Sequence, residues 1–105
     1  MKFHQNNDLD PLAVEPYPEA MRDFVATFEI PCLDIFTMTQ NYFSTFAPGK
    51  ARQYFFHLSK NEHPNYPKAI SDNTHLNDQG ALIVARLICQ AIKESNLALS
   101  SEILL

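Results

Sequence analysis

Asp72-Asn73-Thr74-His75-Leu76-Asn77-Asp78-Gln79-Gly80-Ala81 is the stretch on which the reading of this chain turns. A carboxylate stands three residues before an imidazole, and a strongly apolar helical pattern follows at once. On a loop, that spacing lets Asp72 fold back and accept a hydrogen bond from one ring nitrogen of His75. The other nitrogen then faces outward as a base. These are two parts of a nucleophile–His–Asp triad, in which the acid fixes the imidazole tautomer and stabilises the imidazolium. Taken alone, Asp-x-x-His also describes a turn aspartate beside a surface histidine.

The pattern behind the motif predicts a helix over 78–95. Asn77 is its N-cap, and Gly80 permits a close approach. Ala81, Val84, Ala85, Ile88 and Ile92 form one stripe, widened by Leu82 and Cys89. Upstream, residues 57–71 read as a polar loop with two prolines, of a length that is often functional. Tyr66, between Pro64 and Pro67, is placed either to stack on a sugar or to serve the loop itself. Residues 50–56 read as a short helical turn.

Nearer the start, Pro18 and Glu19 open a helix over 18–29 whose apolar stripe is Met21, Phe24, Val25 and Phe28. Ile30-Pro31-Cys32-Leu33-Asp34-Ile35-Phe36 reads as a buried strand entered through Pro31. Thr37 or Thr39 is the expected cap of a helix running through Tyr42, Phe43 and Phe46, which Pro48-Gly49 ends. Phe24, Phe28, Phe36, Phe43 and Phe46 read as core. Residues 1–16 read as a polar loop or tail, with His4 in it, and the apolar tail 97–105 is expected to pack against something. A lone strand leaves its ladder groups unpaired, so a second strand or outside material is expected.

The chain has 105 residues, room for one small domain, and 46% hydrophobic content is enough for a core. Net charge is −4 with no basic run, which disfavours nucleic acid. No apolar stretch approaches a membrane span, and the first eight residues lack the apolar run of a signal peptide. Cys32 and Cys89 read as buried free thiols, with a single bridge as the other option. His57, Glu62, His63, Asp72 and His75 are the candidate ligands of a metal cluster. Ligand spacings such as His-x-x-x-His are absent, and no metal or cofactor is expected. His57 and His63 read instead as solvated or cleft residues.

The final block resembles the last motif of SGNH (GDSL-type) hydrolases, where an Asp-x-x-His loop precedes the C-terminal helix. Tyr17-Pro18-Glu19-Ala20-Met21-Arg22 and Ile30-Pro31-Cys32-Leu33-Asp34-Ile35 are similar to the helix–strand segment of rhamnogalacturonan acetylesterase-like members. The resemblance covers roughly residues 17–95 and implies an α/β fold, the C-terminal part of a three-layer α/β/α flavodoxin-like domain over 17–105. It implies Asp72 as orienting acid, His75 as general base, and an acetylated polysaccharide or other ester as substrate. Family members are often exported.

The family's other blocks have no match here. Gly-Asp-Ser is absent, Gly49 and Gly80 are the only glycines, and no Gly-x-Ser-x-Gly elbow occurs. Ser44, Ser59, Ser71, Ser95, Ser100 and Ser101 lack the context of a nucleophile. The resemblance therefore implies an esterase segment whose partner is the preceding part of the domain. The other reading is a non-catalytic helical module that buries its apolar faces by self-association.

Overall fold

The computed structural model describes residues 16–47 and 49–105. The tail expected over 1–16, with His4, lies outside the described residues except for Pro16, and so does Pro48. In order, the elements are helix α1 (Tyr17–Thr27), helix α2 (Ile35–Ser44), a 3-10 turn (Ala51–Tyr54), strands β1 (Phe55–Leu58) and β2 (Ile70–Leu76), helix α3 (Asp78–Lys93) and a second 3-10 turn (Ala98–Glu102). The two strands pair antiparallel. Helices with a two-stranded sheet are compatible with an α/β fragment.

Helix α1 forms where its proline and Glu19 predict, and it stops by a specific device. Glu29 turns left-handed at φ 54°. Its N–H reaches the Ala26 carbonyl at 3.4 Å, and the Ile30 N–H reaches that of Val25 at 2.9 Å. This is a Schellman termination built without the usual glycine. It consumes Ile30, the first residue of the expected strand.

The expected strand over 30–36 does not form. Pro31 lacks a donor, Asp34 is committed to the next helix, and no segment among the described residues receives the ladder bonds. Ile35 and Phe36 instead open α2, and its cap is Asp34 rather than Thr37 or Thr39. Oδ1 of Asp34 accepts the Thr37 N–H at 3.0 Å, and Oδ2 accepts from Nε of Arg22 at 2.7 Å. Arg22 thereby ties α1 to α2, and its guanidinium holds the Asp34 carboxyl below its ordinary range.

The core lies where α2, the first 3-10 turn, β1 and α3 meet. Phe43 is 1% exposed. Its ring centroid lies 5.6 Å from that of Phe55 and 5.8 Å from that of Tyr54. Thr39, Ala51 and Gly80 complete the buried set. A Cβ on Gly80 would collide with the Tyr54 carbonyl oxygen, so the glycine is what lets α3 sit against the turn.

Much of the remaining apolar surface has no cover among the described residues. Phe24 and Phe28, expected in the core, are 57% and 62% exposed; their ring centroids lie 4.7 Å apart. On α3 the inward face is Gly80, Ile83, Val84, Leu87 and Ala91, while Ala81, Leu82, Ala85 and Ile88 of the expected stripe are exposed. Cys32 and Cys89 are free thiols, but Cys32 is exposed and Cys89 half-buried, against the expectation of burial. The second 3-10 turn packs on α3, while Leu104 and Leu105 remain exposed.

Candidate active site

Residues 57–71, read as a loop, prove to be the inner part of a hairpin. His57 pairs with Ser71 and Leu58 with Ile70, and residues 59–69 make the connection. Within it, the Tyr66 N–H donates to the His63 carbonyl at 3.0 Å. Asn61 takes a left-handed φ of 61°, which its short polar side chain tolerates.

The Asp72–His75 motif sits on β2, but not as regular strand. Phe55 is opposite Leu76 and Phe56 is opposite Asp72, so Asn73, Thr74 and His75 bow out of the ladder. Asp72 holds this bow from inside. Its Oδ1 accepts the N–H of Thr74 at 2.6 Å and of His75 at 2.9 Å, an Asx turn. Its Oδ2 lies 2.8 Å from Nδ1 of His75. These bonds, the two backbone amides foremost, bring the Asp72 carboxyl down to about 2. It is therefore ionised at neutral pH, so Nδ1 of His75 carries the proton and donates. The Nε2 lone pair is left free, on a side chain 78% exposed.

Asn77 fixes the other end of the bow. Its Oδ1 accepts the Gly80 N–H at 2.9 Å, capping α3. Its Nδ2 donates to the carbonyls of Gln53 and Phe55 at 2.6 and 3.1 Å. The cap was readable from sequence; the reach to the 3-10 turn was not, because those partners are more than twenty residues away. Asn77 thus fastens the hairpin, the turn and the helix at one point, two residues past His75.

A cleft of about 460 Å³ lies between the hairpin connection and the start of α3. Phe56, His57, Glu62, His63 and Tyr66 line it, with residues 76–79, but Asp72 and His75 do not. Among the described residues no serine hydroxyl is hydrogen-bonded to His75. Those of Ser44, Ser95 and Ser101 donate to backbone carbonyls. Nor do the five residues weighed as metal ligands gather: no group of three or more His, Cys, Asp or Glu among the described residues is placed to hold an ion. The arrangement leaves an oriented, exposed imidazole nitrogen with no serine hydroxyl bonded to it among the described residues.

Over 102 residues the chain is 32% identical to rhamnogalacturonan acetylesterase RhgT of Bacillus subtilis (strain 168). The match covers 97% of this chain and 44% of that protein, so the chain spans less than half of the relative's length. No family model matches it, and no solved structure matches it significantly. The resemblance to rhamnogalacturonan acetylesterases carried by its motifs is thereby borne out.

Proposed function

We propose that this segment supplies the acid and base of a carboxylic ester hydrolase that removes acetyl groups from a pectin-type polysaccharide. The serine and the oxyanion donors lie outside these 105 residues, in the rest of a three-layer α/β/α domain of SGNH type. In that domain the bare faces of α1 and α3 would be covered.

The observation that carries the reading is the 2.8 Å contact between Asp72 and His75 in a chain similar to an acetylesterase over almost its whole length. Nε2 of His75 takes the serine proton as Oγ attacks the acetyl carbonyl. Asp72 stays ionised and steadies the imidazolium. The same nitrogen returns the proton to the departing sugar oxygen. Water, activated by His75, then releases acetate and regenerates the serine. General base assistance of this kind is worth about 10²–10⁴ in rate.

The test mixes the chain with the portion of the Bacillus subtilis relative that has no counterpart in it. Acetate release from acetylated rhamnogalacturonan is expected from the mixture only, and is expected to vanish with His75→Ala. Turnover of p-nitrophenyl acetate by the chain alone would refute the division of labour, because a base without nucleophile and oxyanion hole has nothing to activate.

The exposed apolar faces of α1 and α3 also suit a second reading, a non-catalytic module that covers them with a copy of itself. Size-exclusion chromatography separates the two: a well-behaved monomer argues against self-association.

A further inference from the structure

We infer that the cleft beside the hairpin is a carbohydrate subsite for a neutral sugar ring, with Tyr66 as its stacking face. The inference takes the ligand class from the esterase reading above, and the selectivity from the residues of the cleft.

Tyr66 is 42% exposed, yet its ring is braced. It meets Phe56 edge-to-face at 5.4 Å and lies 5.5 Å from the His63 ring. The backbone bond to His63 fixes the turn beneath it. A flat apolar face held in this way loses little freedom when a ring settles on it.

Polar groups surround that face, as they do in small-molecule sites. Nδ1 of His63 accepts the Asn65 N–H at 3.1 Å, so Nε2 carries the proton and is an outward donor. Oε1 of Glu62 accepts the Ser59 N–H at 3.1 Å, leaving Oε2 to accept from a hydroxyl. Nε2 of His57, on the same cleft, is shielded and has no hydrogen-bond partner among the described residues. A shielded atom of this kind is out of a ligand's direct reach, so the donors and acceptors offered to a sugar are those of His63 and Glu62.

Charge decides which sugar. Glu62 and Asp78 bring two carboxylates to the cleft, and no Lys or Arg is among the described residues lining it. A uronate would meet like charge without a counter-ion; a neutral ring meets donors and acceptors. Phe56 of the cleft pairs directly with Asp72, so the subsite adjoins the motif, while Asp72 and His75 themselves do not line it. It holds a neighbouring sugar, not the ester.

Nitrogen-15 NMR of the 105-residue chain tests this with two unacetylated probes: a rhamnogalacturonan oligosaccharide, with neutral and uronate rings, and an oligogalacturonate. The first is expected to shift the amides of Phe56, Glu62, His63 and Tyr66, and the second to bind at least about tenfold more weakly. Tyr66→Ala should weaken binding about tenfold, Tyr66→Phe should preserve it, and Glu62→Lys should narrow the gap between the probes. Equal binding of both probes, shifts elsewhere, no binding, or indifference to Tyr66→Ala and Glu62→Lys would each overturn the inference. Because neither probe carries an ester, the readout is independent of turnover. Binding at Tyr66 with no acetate release from the reconstituted mixture sinks the esterase reading and leaves the subsite. Acetate release without binding at Tyr66 does the reverse.

Discussion

One carboxylate grips His75 twice: Oδ2 of Asp72 meets the ring Nδ1 at 2.8 Å, and Oδ1 accepts the backbone N–H of the same residue at 2.9 Å. The ring and the backbone that carries it therefore cannot drift apart. Asp72→Asn removes the charge and leaves a single carbonyl oxygen for these donors. The amide's N–H₂ then favours the opposite tautomer, with the proton on Nε2. In the reconstituted esterase, turnover is expected to fall by about 10³–10⁴ with little change in secondary structure. A loss below tenfold in acetate release would remove Asp72 from the mechanism.

The same bonds set a pH signature. The Asp72 carboxyl lies at about 2 in the folded chain, lowered from 3.8 chiefly by the His75 and Thr74 amides. A folded value below the unfolded one means that the turn's contribution is complete above the ordinary carboxylate range. It is lost as pH falls through about 2. Carbon-13 titration of the Asp72 carboxyl should show that midpoint, with the Thr74 and His75 amide resonances moving alongside. A midpoint near the ordinary value would show that the turn is not formed in solution.

What could be read from sequence follows the range of the interactions. The Asp72 turn, the Asn77 cap and the start of α1 depend on residues two to four apart, and each forms as expected. The hairpin depends on pairing across residues 59–69, and its strands carry His57, Ser71, Asp72 and Asn73 rather than an alternating apolar face. No local signal announced it. Ile30–Phe36 shows the converse error: its apolar composition suits a buried strand, but a strand needs a neighbour, and no described segment supplies one. Helix α3 is apolar on more than one side, so periodicity alone selected a stripe whose larger part is exposed. The serine expected outside the chain could not be placed by either route.

Two substitutions probe the junction behind the motif. Gly80→Ala should gain about 1 kcal/mol of helix propensity, but the added methyl meets the Tyr54 carbonyl oxygen. Overpacking against backbone wins, for a net loss of about 1–3 kcal/mol in urea denaturation. Asn77→Asp keeps an N-cap of equal quality. It also turns a donor into an oxygen facing the Gln53 and Phe55 carbonyls, at a cost of about 1–3 kcal/mol. A neutral result for either would separate α3 from the 3-10 turn.

Phe28 offers the sharpest test of what the bare faces are for. The ring is 62% exposed and touches Phe24, so the described chain does little to bury it. Phe28→Glu should leave the stability of the isolated chain within about 0.5 kcal/mol of the parent. The rest of an esterase domain would bury that ring, and burial of a phenyl side chain stabilises by about 1.5–3 kcal/mol. A carboxylate in its place would be desolvated as well. Association with the complementary portion of the Bacillus subtilis relative, followed by titration, should therefore weaken by at least about tenfold. Unchanged association would mean that this face of α1 is not the docking surface. A chain that unfolds on substitution would mean that the face is already covered within it.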